Sequence, residues 1–218
     1  ENPMHVGVCG GPDRAEAAAR AGYAFFESTV GALLKPRESE DGFAEALAAH
    51  RAAALPCPVV NCFVPGDLKI TGPEVHMPAL TDYVTVACER AKQAGVETIV
   101  FGSGGARRIP EGFDRAKAQA QLVSFGRMAG PVAHANGVTI AVEPLNKNAC
   151  NVLTTVGETA AYVREVDHPA VRLLVDAYHW GVDQDSAEDI ATNGSLLVHT
   201  HIATIENRRG PGAEPCDS

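Results

Sequence analysis

Three apolar runs in this chain each end in side chains that can ligate a metal. Val138-Thr139-Ile140-Ala141-Val142 leads into Glu143, Val171-Arg172-Leu173-Leu174-Val175 into Asp176, and Leu196-Leu197-Val198 into His199-Thr200-His201. They recur at intervals of roughly 25 to 35 residues, the length of one strand–helix unit. Short β-branched runs alternating with alanine-rich stretches predict a parallel α/β fold, either an open sheet or a (β/α) barrel. Parallel strands deliver their last residues to the same C-terminal rim. Two carboxylates and an imidazole meeting there suit a borderline-hard divalent cation. The expectation is metal-assisted chemistry on a small polar molecule.

The same rhythm runs through the rest of the sequence. Strands are expected at His5–Cys9, Tyr23–Glu27, Val59–Val64, Glu97–Phe101, from Val138, Val171–Val175 and Leu196–Ile202. Helices are expected at Arg14–Ala21 with Asp13 as cap, Phe43–Ala54, Leu80–Ala94 ended by Gly95, Phe113–Asn136 with Gly137 beyond its end, Gly157–Val166, and about Ser186–Ala191. Residues 31–42 and 102–110 read as loops. Residues 65–78, with Pro65, Pro73 and Pro78, read as a long loop over the rim, of the kind that often serves as a lid. Seven strands fall one short of a (β/α)8 barrel, which typically needs ~250 residues. The sequence from Arg208 to Ser218 is loop-like, so one domain over 1–218 is expected, C-terminally incomplete by its last β/α unit.

Composition narrows the partners. With 45% hydrophobic and 21% charged residues the chain is an ordinary globular one. A formal charge of −9 disfavours a nucleic-acid backbone. No apolar run approaches the ~20 residues of a membrane span, and Glu1-Asn2-Pro3-Met4 has no signal-peptide character. Six scattered cysteines without a Cys-x-x-Cys pair fit a reducing cytoplasm better than a disulfide framework or a zinc cluster.

Each candidate side chain has two readings. Glu143, held at its strand end by Pro144, is a metal ligand or the partner of an internal cation. Asp176 is a ligand or a helix cap. His199 and His201 share one strand face; His201, nearer the end, is the preferred ligand and His199 a satisfied histidine beneath it. His179 and Arg208 either reach substrate from the rim or lie on the surface. Glu27 either contacts substrate or bridges to an arginine inside the barrel. Gly102–Ala106 suits a close backbone approach to a ligand but matches no nucleotide motif, and Lys147 and Arg107 are weaker substrate contacts.

The segments Glu143-Pro144-Leu145-Asn146, Asp176-Ala177-Tyr178-His179, His199-Thr200-His201-Ile202-Ala203 and Asn207–Gly212, with Gly104–Arg107 through Phe113, resemble the xylose isomerase-like TIM barrel superfamily. The likeness is to its sugar phosphate isomerase/epimerase branch, kin of the ketose 3-epimerases, and spans about residues 5–212 in order. It implies a divalent metal (Mn, Mg, Co or Zn) held by Glu143, Asp176 and His201, with a fourth glutamate from an eighth strand. Glu143 would double as an acid/base carboxylate, with His179 and Arg208 on substrate oxygens. Proton transfer through an enediolate would then isomerise or epimerise a ketose or related sugar. Where such epimerases often carry a further carboxylate six residues after the first, this chain has Ala149. Two alternatives stand beside this reading: dehydration of a keto-polyol of the inosose type on the same site, and a non-catalytic sugar- or metal-binding relative. A homo-oligomer is compatible with either.

Overall fold

The computed structural model describes residues 4–214; the N-terminal Glu1-Asn2-Pro3 and the end of the terminal loop, with Cys216, lie outside them. Seven strands form one parallel sheet in chain order: β1 Gly7–Cys9, β2 Phe25–Thr29, β3 Val59–Asn61, β4 Thr98–Phe101, β5 Thr139–Val142, β6 Val171–Asp176 and β7 Leu197–His201. Between them run α1 Ala15–Arg20, α2 Val30–Leu33, α3 Glu40–Arg51, α4 Met77–Ala94, α5 Gly104–Arg107, α6 Arg115–Ala135, α7 Val156–Val166, α8 Ala177–Asp183 and α9 Ala187–Asn193. The sheet curls into most of a barrel, because β2 and β7, near its two ends, touch through Glu27 and His199 at 3.0 Å. Among the described residues β1 and β7 do not pair with each other.

Strand alternation sorts the side chains into two layers. Val59, Val100, Ala141 and Leu174, with Phe25 against them, fill the concave interior. Their neighbours Ile99, Phe101, Ile140 and Val142 face the helices and join the main apolar layer with Leu122, Phe125 and Ala129 of α6. The interior stack stops below the C-terminal ends of the strands, so the next inward residues there are free to be polar.

Local sequence explains most element ends. Gly95 closes α4 in the left-handed conformation (φ 76°), and Gly137 follows α6 at φ 72°. Asp114 caps α6 by accepting the Lys117 amide at 2.7 Å. Four expectations are corrected. Residues 31–42 are not all loop: Thr29 caps the one-turn α2, and Ser39 with Glu40 and Asp41 starts α3 ahead of Phe43. Residues 102–110 contain α5, and α8 follows Asp176 directly. β3 stops at Asn61, because Cys62 takes a left-handed φ of 56°. Asp13 lies in a short 3-10 turn, and α1 has no side-chain cap.

The proline-rich 65–78 segment is a strap rather than a free lid. The Ile70 amide donates to Ala106 O at 2.9 Å, Thr71 Oγ1 to the Arg107 and Arg108 carbonyls, and Gln121 bonds both polar backbone groups of Gly72. No described helix is long and apolar enough to cross a membrane.

Candidate metal and substrate site

Glu143 stands one residue beyond β5, and its amide continues the ladder by donating to Phe101 O at 3.1 Å. Its backbone is fixed from behind by Arg107. That guanidinium is wholly buried and donates to the carbonyls of Phe101 (3.1 Å), Glu143 (2.7 Å) and Leu153 (3.3 Å). Arg107 is therefore unavailable to a substrate, contrary to expectation; it positions Glu143. Gly102, the inward residue at the end of β4, leaves room for the carboxylate, since a Cβ there would collide with Glu143 Oε2. Lys147 is exposed.

A register shift between Leu173 and Leu174 sets Asp176 directly opposite His201 in the β6–β7 ladder. Asp176 is also the N-cap of α8: one oxygen, Oδ1, accepts the Tyr178 amide at 2.8 Å. Cap and rim carboxylate are thus the same residue, with Oδ2 left facing the rim. Burial, then the neighbouring Glu143 charge, raises the Asp176 carboxyl above its ordinary range.

His201 bridges two carboxylates. Its Nδ1 faces Glu143 Oε1 at 3.2 Å, and its Nε2 faces Glu27 Oε1 at 3.0 Å. Burial alone would lower the imidazole, but the hydrogen bonds to Glu143 and Glu27 outweigh it and raise the group to about 10. Burial would likewise raise Glu27, yet the bonds from His199 and His201 bring it down to about 2. Asn61 Nδ2 adds a bond to Glu27 at 2.8 Å. Glu27, 3% exposed, meets two histidines and an asparagine, and among the described residues no arginine bonds it. His199 is satisfied by Glu27, beneath His201.

Ligand atoms of Glu143, Asp176 and His201 lie within 4.8 Å of one another. Two carboxylate oxygens and one imidazole nitrogen fit Mn²⁺, Mg²⁺, Co²⁺ or Zn²⁺, with the remaining positions open to water or substrate. A cation held by Glu143 and His201 would take the place of the Nδ1 proton. A second trio, Cys9, Glu27 and His201, meets the same limit.

His179 leans over this cluster. Its Nδ1 accepts the Asn146 amide at 3.1 Å, while its Nε2 lies 3.3 Å from the Arg208 guanidinium, another obligate donor, so both ring nitrogens face donors and the ring is held neutral. Burial lowers the imidazole and favours this neutral form. The Arg208 guanidinium sits 3.5 Å from Asp176 Oδ2, and His179 Nε2 is 3.8 Å from the same oxygen. The Arg208 guanidinium therefore sits between Asp176 and His179 at the mouth of the rim. The loop carrying Arg208 is tied by Glu214, which accepts from Thr204 Oγ1, the Asn207 amide and Asn207 Nδ2. Glu214 thus closes a loop instead of facing the rim.

Sequence reasoning gave no role to Asn61, Asn146 or Glu214. Asn146 was visible as the last residue of the Glu143-Pro144-Leu145-Asn146 segment; the others carried no local signal. A cavity of about 1020 Å³ lies elsewhere, among His5, Ala24, Pro58, Glu97 and Val198 at the N-terminal strand ends. Barrel chemistry sits at the opposite rim, where the titratable side chains converge.

Fold and rim together define a parallel-stranded barrel whose C-terminal edge gathers carboxylates and histidines. The family described as xylose isomerase-like TIM barrel matches residues 15–217, and the chain belongs to it. It is 38% identical over 77 residues to D-psicose 3-epimerase of Agrobacterium fabrum, covering 35% of this chain and 26% of that one. It is 32% identical over 92 residues to 3-dehydro-D-guloside 4-epimerase of Escherichia coli, covering 42% and 35% respectively. The matched stretches thus span well under two thirds of these relatives. The crystal structure of D-psicose 3-epimerase with D-tagatose from Clostridium cellulolyticum H10 superposes with a TM-score of 0.82, at 22% identity, over 96% of this chain and 76% of that one.

Proposed function

We propose that this chain, read as one barrel domain over 1–218, is a divalent-metal-dependent isomerase or epimerase of a ketose or related sugar. The observation that carries the reading is the convergence of Glu143, Asp176 and His201 ligand atoms within 4.8 Å, beside His179 and the Arg208 guanidinium. The epimerase names of relatives sharing the matched segments support it.

Glu143, Asp176 and His201 would hold the cation. When bound, it supplies Lewis acidity to a sugar carbonyl and the adjacent hydroxyl, acidifying the C–H of the carbon that bears this hydroxyl. Asp176 would contribute its carboxylate, of which the helix cap engages only Oδ1. His201 would contribute Nδ1, with Glu27 holding the Nε2 proton on the other side; a carboxylate behind a ligating histidine fixes its tautomer and raises its basicity. Glu27 is therefore assigned to His201 rather than to substrate. Asn61 and His199 keep Glu27 in place. The Arg208 guanidinium, placed by His179, would donate to substrate oxygens, and the two side chains would fix which carbon faces Glu143. Glu143 removes the proton from that carbon. Return of a proton to the opposite face of the same carbon epimerises the sugar, and return to the former carbonyl carbon isomerises it.

The test is proton exchange followed by NMR in D₂O with Mn²⁺ present, on ketohexoses (D-psicose, D-fructose, D-tagatose) and on a 3-keto-hexoside. Exchange at a carbon next to the carbonyl, abolished in Glu143→Gln, is expected. No exchange on any of them overturns the reading, and wild-type exchange in Glu143→Gln overturns the assignment of the base.

A further inference from the structure

We infer that the rim carries a second, sulfur-containing donor set, Cys9 with Glu27 and His201, that takes a thiophilic divalent cation such as Cd²⁺ or Zn²⁺ in competition with the oxygen-rich set. Ligand atoms of these three residues lie within 4.8 Å of one another. Their placement follows from the backbone. Cys9 and Glu27 are register partners at the ends of β1 and β2, and the Gly10 amide locks the two strand ends by donating to Glu27 O at 2.9 Å. His201 reaches them across the barrel from β7 with Nε2, 3.0 Å from Glu27 Oε1. Cys9 is an exposed, free thiol.

Thiolate, imidazole and carboxylate form a three-ligand set whose fourth tetrahedral position is left to water. Sulfur selects Zn²⁺ and Cd²⁺ over Mg²⁺ and Mn²⁺. Binding forms the S–metal and Nε2–metal bonds as the thiol proton and the His201 Nε2 proton leave to solvent, with no change of oxidation state. The sharing of His201 makes the two sets exclusive. A neutral imidazole has one lone pair on nitrogen, so it serves either Nδ1 toward Glu143 or Nε2 toward Glu27, not both. A thiophilic ion seated on Cys9 therefore withdraws His201 from Glu143 and Asp176. This competition rests on the proposed function, but the existence of the sulfur set does not.

Cd²⁺ alone, titrated into the full chain after chelator treatment, tests the sulfur set by its sulfur-to-cadmium charge-transfer absorption. The band is expected to saturate at one ion per chain, to vanish in Cys9→Ser, to weaken roughly tenfold in affinity in His201→Ala, and to persist in Asp176→Asn and Cys62→Ser. A band unchanged in Cys9→Ser, or one lost only in Cys62→Ser, overturns the proposal. A readout that needs no variant is peptide mapping after alkylation: bound Cd²⁺ is expected to protect Cys9, and equal labelling with and without Cd²⁺ contradicts it. Mn²⁺ release by Cd²⁺, followed by electron paramagnetic resonance, is expected in the wild type and should need about tenfold more Cd²⁺ in Cys9→Ser. Absence of Mn²⁺ binding would strike the proposed function alone, leaving the cadmium band to decide this proposal.

Discussion

At the residue scale, the rim is an arrangement of buried charges that satisfy one another. Glu143, Asp176 and Glu27 are at most 7% exposed, which is costly for carboxylates unless each has partners. His201 supplies those partners on both sides, and the Tyr178 amide with Arg208 supplies them at Asp176. Gly102 shows how little slack remains. Gly102→Ala is expected to displace the Glu143 carboxylate and weaken Mn²⁺ binding by about tenfold, measured by calorimetric titration, while leaving the fold intact by circular dichroism; unchanged affinity would show that Glu143 has room to spare. Glu143, Asp176 and His201 were legible as a set because strand ends converge in any parallel barrel; His179 and Arg208, beyond the strands, joined them only through the family resemblance. Glu27 was legible as a rim residue, but its partners were not. The pairing of β2 with β7 depends on how far the sheet curls, which no local pattern records. Arg107 misled for a related reason: an arginine in a glycine-rich loop looks like a ligand contact until its burial against three carbonyls is seen.

At the element scale, Asp176 joins two tasks that substitutions can separate. Asn keeps the oxygen that caps α8 but removes the charge; Ala removes both. Asp176→Asn is expected to melt within a few tenths of a kcal/mol of wild type while losing the cation. Asp176→Ala should lose the cation and a further ~1 kcal/mol from the missing cap, read by urea unfolding with chelator present. Equal stability of the two variants would show that the cap contributes nothing. The loop Thr204–Glu214 offers a second test. Glu214→Ala removes the bonds from Thr204 and Asn207, and trypsin is expected to cut at Arg208 and Arg209 several-fold faster; an unchanged rate would mean the loop holds without Glu214. Strands and long helices were readable from apolar rhythm, and Gly95, Gly137 and Asp114 marked helix ends. The short helices α2, α5 and α8 were not, because each is only four to seven residues long and depends on tertiary anchors instead of propensity.

At the scale of the whole molecule, the rim sets how stability responds to pH. Glu27, brought from 4.5 down to about 2, contributes stability that is full above 4.5 and lost as pH falls through about 2. His201, raised from 6.5 to about 10, contributes stability that is full below 6.5 and lost as pH rises through about 10. Both shifts describe one ion pair and are not summed. With chelator present, the urea midpoint is expected to be highest between about pH 4.5 and 6.5 and to decline on either side, and His201→Ala should flatten the alkaline limb. Persistence of that limb in His201→Ala would contradict the bridging assignment. Everything functional in the account depends on Glu143, Asp176 and His201 acting together on a single ion. Equilibrium dialysis against Mn²⁺ measures this directly: one ion per chain in the wild type, and loss of that ion in both Asp176→Asn and His201→Ala, is the predicted result. Full Mn²⁺ occupancy in either variant would contradict it.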